Sequence, residues 1–196
     1  MKQIARLAAA TLIAVLPIAC SPSAPPAAPP LEGARIGGPF ALTDQNGASV
    51  TDRSLAGKYR IMYFGYTFCP DVCPVDVQNL AAGLRAFEQQ DAAAAAKVVP
   101  VFVSIDPARD TPAVLKQFVG HFHPRMIGLT GTPQAIAAIA KEYAVYYKKG
   151  ESSPGGYMMD HSRVAYLMSP EGKPIALLPQ EGTPQAIATE LARWVR

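Results

Sequence analysis

Three times the chain sets Thr-Pro ahead of a run of helix formers, at 111–112, 132–133 and 183–184. A Thr hydroxyl accepts from the free amides of a helix start, and Pro is preset for the first helical position, where its missing N–H costs nothing. Between these starts lie short β-branched and aromatic runs: "YRIMYFGY" (59–66), "KVVPVFVSID" (97–106) and "RMIGLTG" (125–131). Helices are expected at 74–90, 111–122, 132–144 and 183–196, the first from apolar residues at 77, 80, 81, 84 and 87. Hairpins are expected at 40–51, around Asn46-Gly47, and at 162–180, around "PEGK"; 145–149 adds a strand. This order predicts an α/β chain: a central mixed β-sheet flanked by helices, with an N-terminal β-hairpin. "TPQAIA" occurs at both 132–137 and 183–188, but its surroundings differ, so it is one capping solution used again rather than a repeat fold.

Ahead of this body the sequence reads as an address. Lys2 and Arg6 precede the apolar run "LAAATLIAVLPIA" (7–19), too short for the roughly 20 residues of a membrane span. The run ends in "PIAC", which resembles a bacterial lipobox with Cys20 as the lipid-bearing residue. Pro17 departs from the usual pattern, and Leu16 comes one place too early. Cleavage near Ala19 and an uncleaved anchor are the alternatives. Residues 21–32, "SPSAPPAAPPLE", have the composition of a semi-rigid spacer. The expected division is a signal peptide at 1–19, a Pro/Ala-rich tether at 20–35 and a folded domain at 36–196. Without residues 1–19 the chain carries 16 basic and 15 acidic residues, a balance that gives no argument for a nucleic-acid partner.

The chain holds three cysteines, an odd number for an exported protein. With Cys20 assigned to lipid, Cys69 and Cys73 remain as a pair in "TFCPDVCPVDVQNL" (67–80), where a strand gives way to a helix. Helix N-termini offer unpaired N–H groups and a partial positive charge, which lower thiol pKa values. Pro70 and Pro74 restrict the loop. A Cys-x-x-x-Cys there is open to four readings: a disulfide, a redox pair, half of a zinc site or a soft-metal clamp. A disulfide would close only a short loop and stabilise little. Placement at the first βα junction suggests a thioredoxin-like fold, by topology and analogy.

A structural zinc site needs four ligands, and few are on offer. His121 and His123 end a predicted helix, where a solvated pair favoured by the helix dipole is expected. His161 stands in "YMMDHSRVAYLM" (157–168), ahead of a predicted strand. Two thiolates and an imidazole make a soft, low-coordinate set that suits copper, Cu(I) or Cu(II), over closed zinc. Met158 or Met159 could lend a thioether, though ordinary packing is the plainer role for both. Asp160 is a candidate support for His161, and Asp71 for tuning the thiolates; each is equally readable as a solvated loop acid.

The pieces "FGYTFCPDVCP" (64–74), "SIDPARDTP" (104–112) and "DHS" (160–162), in that order, resemble the Sco/SenC family of copper-binding assembly proteins. The similarity spans roughly residues 36–196. The resemblance implies a membrane-tethered thioredoxin-like domain and copper held by Cys69, Cys73 and His161. It further implies a role in building the dinuclear copper centre of cytochrome c oxidase. The partners would be the oxidase subunit carrying that site and another periplasmic copper chaperone. The location would be the periplasmic face of the inner membrane, reached through a lipid anchor. Copper delivery and reduction of the target thiols both occur in the family, so a thiol–disulfide oxidoreductase is the competing reading. Against it, thioredoxin-like reductases use Cys-x-x-Cys with a Pro before the facing strand, and 157–168 has no Pro. A peroxiredoxin would want Thr where Tyr66 stands. A purely structural lipoprotein fits the address but leaves the Cys and His set unused.

Overall fold

The computed structural model describes residues 28–153 and 156–196; the signal segment and Cys20 lie outside them. The elements in order are β1 (Ala41–Asp44), β2 (Ser49–Thr51), β3 (Tyr59–Gly65), α1 (Val72–Gln90), α2 (Ala92–Ala95), β4 (Val98–Ser104) and α3 (Pro112–Gly120). They continue as β5 (Ile127–Thr130), α4 (Pro133–Glu142), β6 (Tyr147–Ser153), β7 (Gly156–His161), β8 (Ala165–Met168), β9 (Pro174–Leu177) and α5 (Pro184–Trp194).

Seven strands form one mixed sheet in the order β2-β1-β5-β4-β3-β8-β9. β3, β4 and β5 run parallel, as crossover helices require, and the two hairpins add antiparallel edges. β3 is buried from Arg60 to Gly65 because it lies between β4 and β8 with helices over the sheet, so its sequence is a continuous apolar run rather than an alternating one. The arrangement is thioredoxin-like.

The three Thr-Pro starts cap as expected. Thr111, Thr132 and Thr183 accept from the amides of Val114, Ala135 and Ala186 at 3.4, 3.2 and 3.2 Å. Such caps are worth about 1 kcal/mol each. α1 and α5 pack closely because Gly83 has no Cβ; one would stand 2.4 Å from the Ile187 side chain.

Several expectations change. α1 begins at Val72 rather than 74, which takes Cys73 into its first turn. The strand expected at 145–149 does not join the sheet. It runs from Tyr147 to Ser153 and pairs with β7 as a separate two-stranded ribbon, pairing Tyr147 with His161. His161 therefore sits at the end of a strand, not in a loop. His121 is exposed, but His123 is buried, with Nε2 3.3 Å from Glu88 and Nδ1 accepting from the Arg125 amide at 3.2 Å. The expected solvated pair is one solvated and one core histidine, because the chain turns inward after α3. The Leu31 amide donates to the Ile175 carbonyl at 3.0 Å, so ordered contact with the sheet begins before residue 36.

Candidate metal centre

β3 ends at Gly65 and α1 starts at Val72, so both cysteines lie at the C-terminal end of the central strand, where open α/β sheets place their sites. Cys73 is fully buried and Cys69 is 8% exposed; both are free thiols. The Cys73 amide, in the first turn of α1, donates to the Cys69 sulfur at 3.4 Å. Burial opposes ionisation of Cys69, but the amides of Cys73 and Asp71 outweigh it and draw the thiol below its ordinary value. Asp71 thus acts on Cys69 through its backbone. Burial pushes the Cys73 thiol up to about 12.

The ribbon brings His161 to this pair. Its Nε2 lies 3.3 Å from the Cys73 sulfur. Its Nδ1 is 3.0 Å from the Ser162 carbonyl. A carbonyl only accepts, so Nδ1 carries the proton and the Nε2 lone pair faces Cys73. Burial lowers the imidazole below its ordinary value, which keeps it neutral and fit to ligate. Asp160 is exposed, and the orienting hydrogen bond comes from Ser162. The Tyr66 ring stands edge-on to the imidazole, centroids 5.9 Å apart.

Three side chains not anticipated as site residues fix this geometry. Asp76, fully buried one turn after Cys73, accepts from Arg163 Nη2 at 2.8 Å and Nε at 3.1 Å, and from Tyr63 Oη at 2.9 Å. Arg163 follows His161 by two positions, so this half-buried pair ties the histidine segment to the cysteine helix. The sequence held a signal: Asp76 interrupts the apolar stripe that Cys73, Val77, Leu80, Leu84 and Phe87 lay along α1, and a carboxylate there must have a partner.

The "DPARDTP" segment, without an assigned role in the sequence, is a second tie. Asp110 is fully buried and accepts from the Thr67 amide at 3.1 Å, Thr67 Oγ1 at 2.6 Å and Ser104 Oγ at 2.6 Å, which pins the start of the cysteine loop. Arg109 pairs with Asp106 and donates to the Tyr157 carbonyl at 2.9 Å. Its guanidinium lies 3.7 Å from the Tyr157 ring centroid and 4.9 Å from that of Phe68. One arginine thus joins the β4–α3 loop, the cysteine loop and the ribbon.

Cys73 and His161 are in contact, and Cys69 is held against the Cys73 amide. Among the described residues, no three His, Cys, Asp or Glu side chains already converge as a metal cage. The donors nonetheless suit a soft ion: two sulfurs and one imidazole lone pair, with no carboxylate among them. Met158, 50% exposed, accepts from the Tyr66 hydroxyl at 3.8 Å; Met159 is buried in the core. No described helix is long and apolar enough to cross a membrane.

The SCO1/SenC family profile matches residues 28–196. The mitochondrial SCO1 homolog 1 of Arabidopsis thaliana is 48% identical over 138 residues, 70% of this chain and 40% of that protein. Protein SenC of Rhodobacter capsulatus is 43% identical over 155 residues, 79% of this chain and 68% of that one. The chain therefore spans less than half of the plant relative's length. The solved structure of Bradyrhizobium japonicum ScoI with copper bound superposes with a TM-score of 0.74 at 44% identity, over 82% of this chain and 99% of that one.

Proposed function

The chain belongs to the SCO1/SenC family, and on that premise we propose that it binds one copper ion through Cys69, Cys73 and His161. In this reading it serves assembly of the dinuclear copper centre of cytochrome c oxidase. The observation that carries it is the 3.3 Å contact between Cys73 Sγ and a lone-paired His161 Nε2, with Cys69 beside them on an activated helix start. Copper is cargo here. Both thiols lose their protons on loading, and the neutral imidazole loses none. The oxidase subunit with the copper site is the recipient, and a second copper chaperone is the donor. Lipid at Cys20 holds the domain at the periplasmic face of the inner membrane.

The test is a copper titration of the wild-type domain and the His161→Ala variant. Loss of Cu(II) affinity and a changed Cu(II) spectrum in the variant are expected; an unchanged affinity and spectrum would overturn the assignment.

Thiol–disulfide exchange is the second reading, favoured by the asymmetry of the pair. Cys69 is activated as an attacking thiolate, while Cys73 is held protonated. Cys69 would attack a partner's disulfide, and Cys73 would then release the reduced partner, leaving a Cys69–Cys73 disulfide. A measured reduction potential, with reduction of a partner disulfide, decides for this reading.

A further inference from the structure

Both cysteine sulfurs are buried, yet a cargo ion must reach them from a donor protein. One soft donor stands outside. The Met158 side chain is half exposed on β7, three residues before His161, while its neighbour Met159 is spent on packing. Its sulfur is engaged by the Tyr66 hydroxyl at 3.8 Å. The edge of the same Tyr66 ring meets the His161 imidazole, centroids 5.9 Å apart. A single tyrosine therefore touches both the half-exposed Met158 and the half-buried His161.

Resting on the copper reading above, we infer that Met158 is the landing ligand for Cu(I), the first protein atom to take the ion from a donor and the last to hold it before a recipient. Thioethers bind Cu(I) and hold hard ions poorly, so the station is selective for the reduced ion. Each transfer is a ligand exchange without electron flow. The bond from copper to the donor's sulfur breaks as the Met158 Sδ bond forms. That bond breaks in turn as the Cys69 thiolate bonds, with the thiol proton released to water. A lone thioether binds weakly, which suits a station the ion must leave.

The experiment uses Met158→Leu, which keeps size and hydrophobicity and removes the sulfur. Cu(I) is supplied anaerobically as a chromophoric chelate, and transfer to the full-length protein is followed by stopped flow. Loading about tenfold slower than wild type is expected, the effect of losing one contact of about 1.4 kcal/mol in the transfer step, with equilibrium affinity changed by less than about twofold. In wild type, the Met158 methyl carbon signal should shift on addition of Ag(I), and should still shift in the Cys69→Ser/Cys73→Ser variant. Equal loading rates for Met and Leu, or a methyl signal indifferent to Ag(I), overturn the inference. Failure of wild type to take up Cu(I) would instead overturn the copper reading, and the Ag(I) arm still decides on Met158.

Discussion

Asp76 and Arg163 are joined by two hydrogen bonds, of 2.8 and 3.1 Å, parallel to the contact between Cys73 and His161. Each charged residue stands beside one of the contacting pair, so two chain segments far apart in sequence are clasped twice. Arg163→Gln leaves the Asp76 carboxylate buried with only the Tyr63 hydroxyl. Destabilisation of about 2–3 kcal/mol is expected, below the full cost of breaking a buried pair because the Arg163 side chain is 35% exposed. Urea denaturation measures it. Copper affinity should fall as well, since His161 loses its clasp; full affinity in a destabilised variant would confine the pair to stability.

The two thiols should differ sharply in reactivity. Cys69 is drawn below its ordinary value and Cys73 is pushed up to about 12, so Cys69 is the thiol that ionises first as the pH rises. Iodoacetamide followed by mass spectrometry should label Cys69 first and leave Cys73 unmodified until the chain unfolds. Labelling of Cys73 first would contradict the assigned polarity of the pair.

Gly65 is where the strand passes under the site. A Cβ there would lie 2.9 Å from the Tyr63 ring, 3.1 Å from the Cys73 sulfur and 3.2 Å from the Phe102 ring. Gly65→Ala should cost about 1–3 kcal/mol from overpacking and displace the Cys73 sulfur. Thermal melting and copper titration together check this, and a variant matching wild type in both contradicts it.

Burial lowers the His123 pKa below its ordinary 6.5, against the opposing pull of Glu88. The unfolded chain then binds more protons than the folded one just below that value. Stability should fall as the pH drops through this window, and His161, lowered likewise, adds to the slope. Urea midpoints from about pH 7.5 to about pH 5 should decline, and His123→Gln should flatten the decline. An identical pH profile in that variant would place the sensitivity elsewhere.

Much of this was legible beforehand because it is local. The Thr-Pro caps, the Asn46-Gly47 hairpin and the apolar period of α1 are written within a few residues of where they act. The cysteine pair and His161 stood out by residue type, and the structure brings Cys73 and His161 into contact. A strand was expected at 145–149, but its extension to Ser153 and its pairing with β7 outside the main sheet were not legible. "YKKGESS" has little β-branched or apolar content, and its pairing is decided by β7 and by the Arg109 stack on Tyr157. His123 looked solvated because its partner Glu88 lies on another helix. The tie from Thr67 to Asp110 spans 43 positions, and no periodicity predicts a contact of that kind.

The ribbon carries His161 yet forms no ladder with the seven-stranded sheet. Its backbone amides therefore answer to a smaller opening free energy than those of β3 and β4. They should exchange with deuterium in a sub-global event of their own. An ion bridging the cysteine loop to His161 would fasten that opening shut. Slower exchange confined to β6 and β7 on copper loading would then act as a clock, timing how long the cargo stays committed before release.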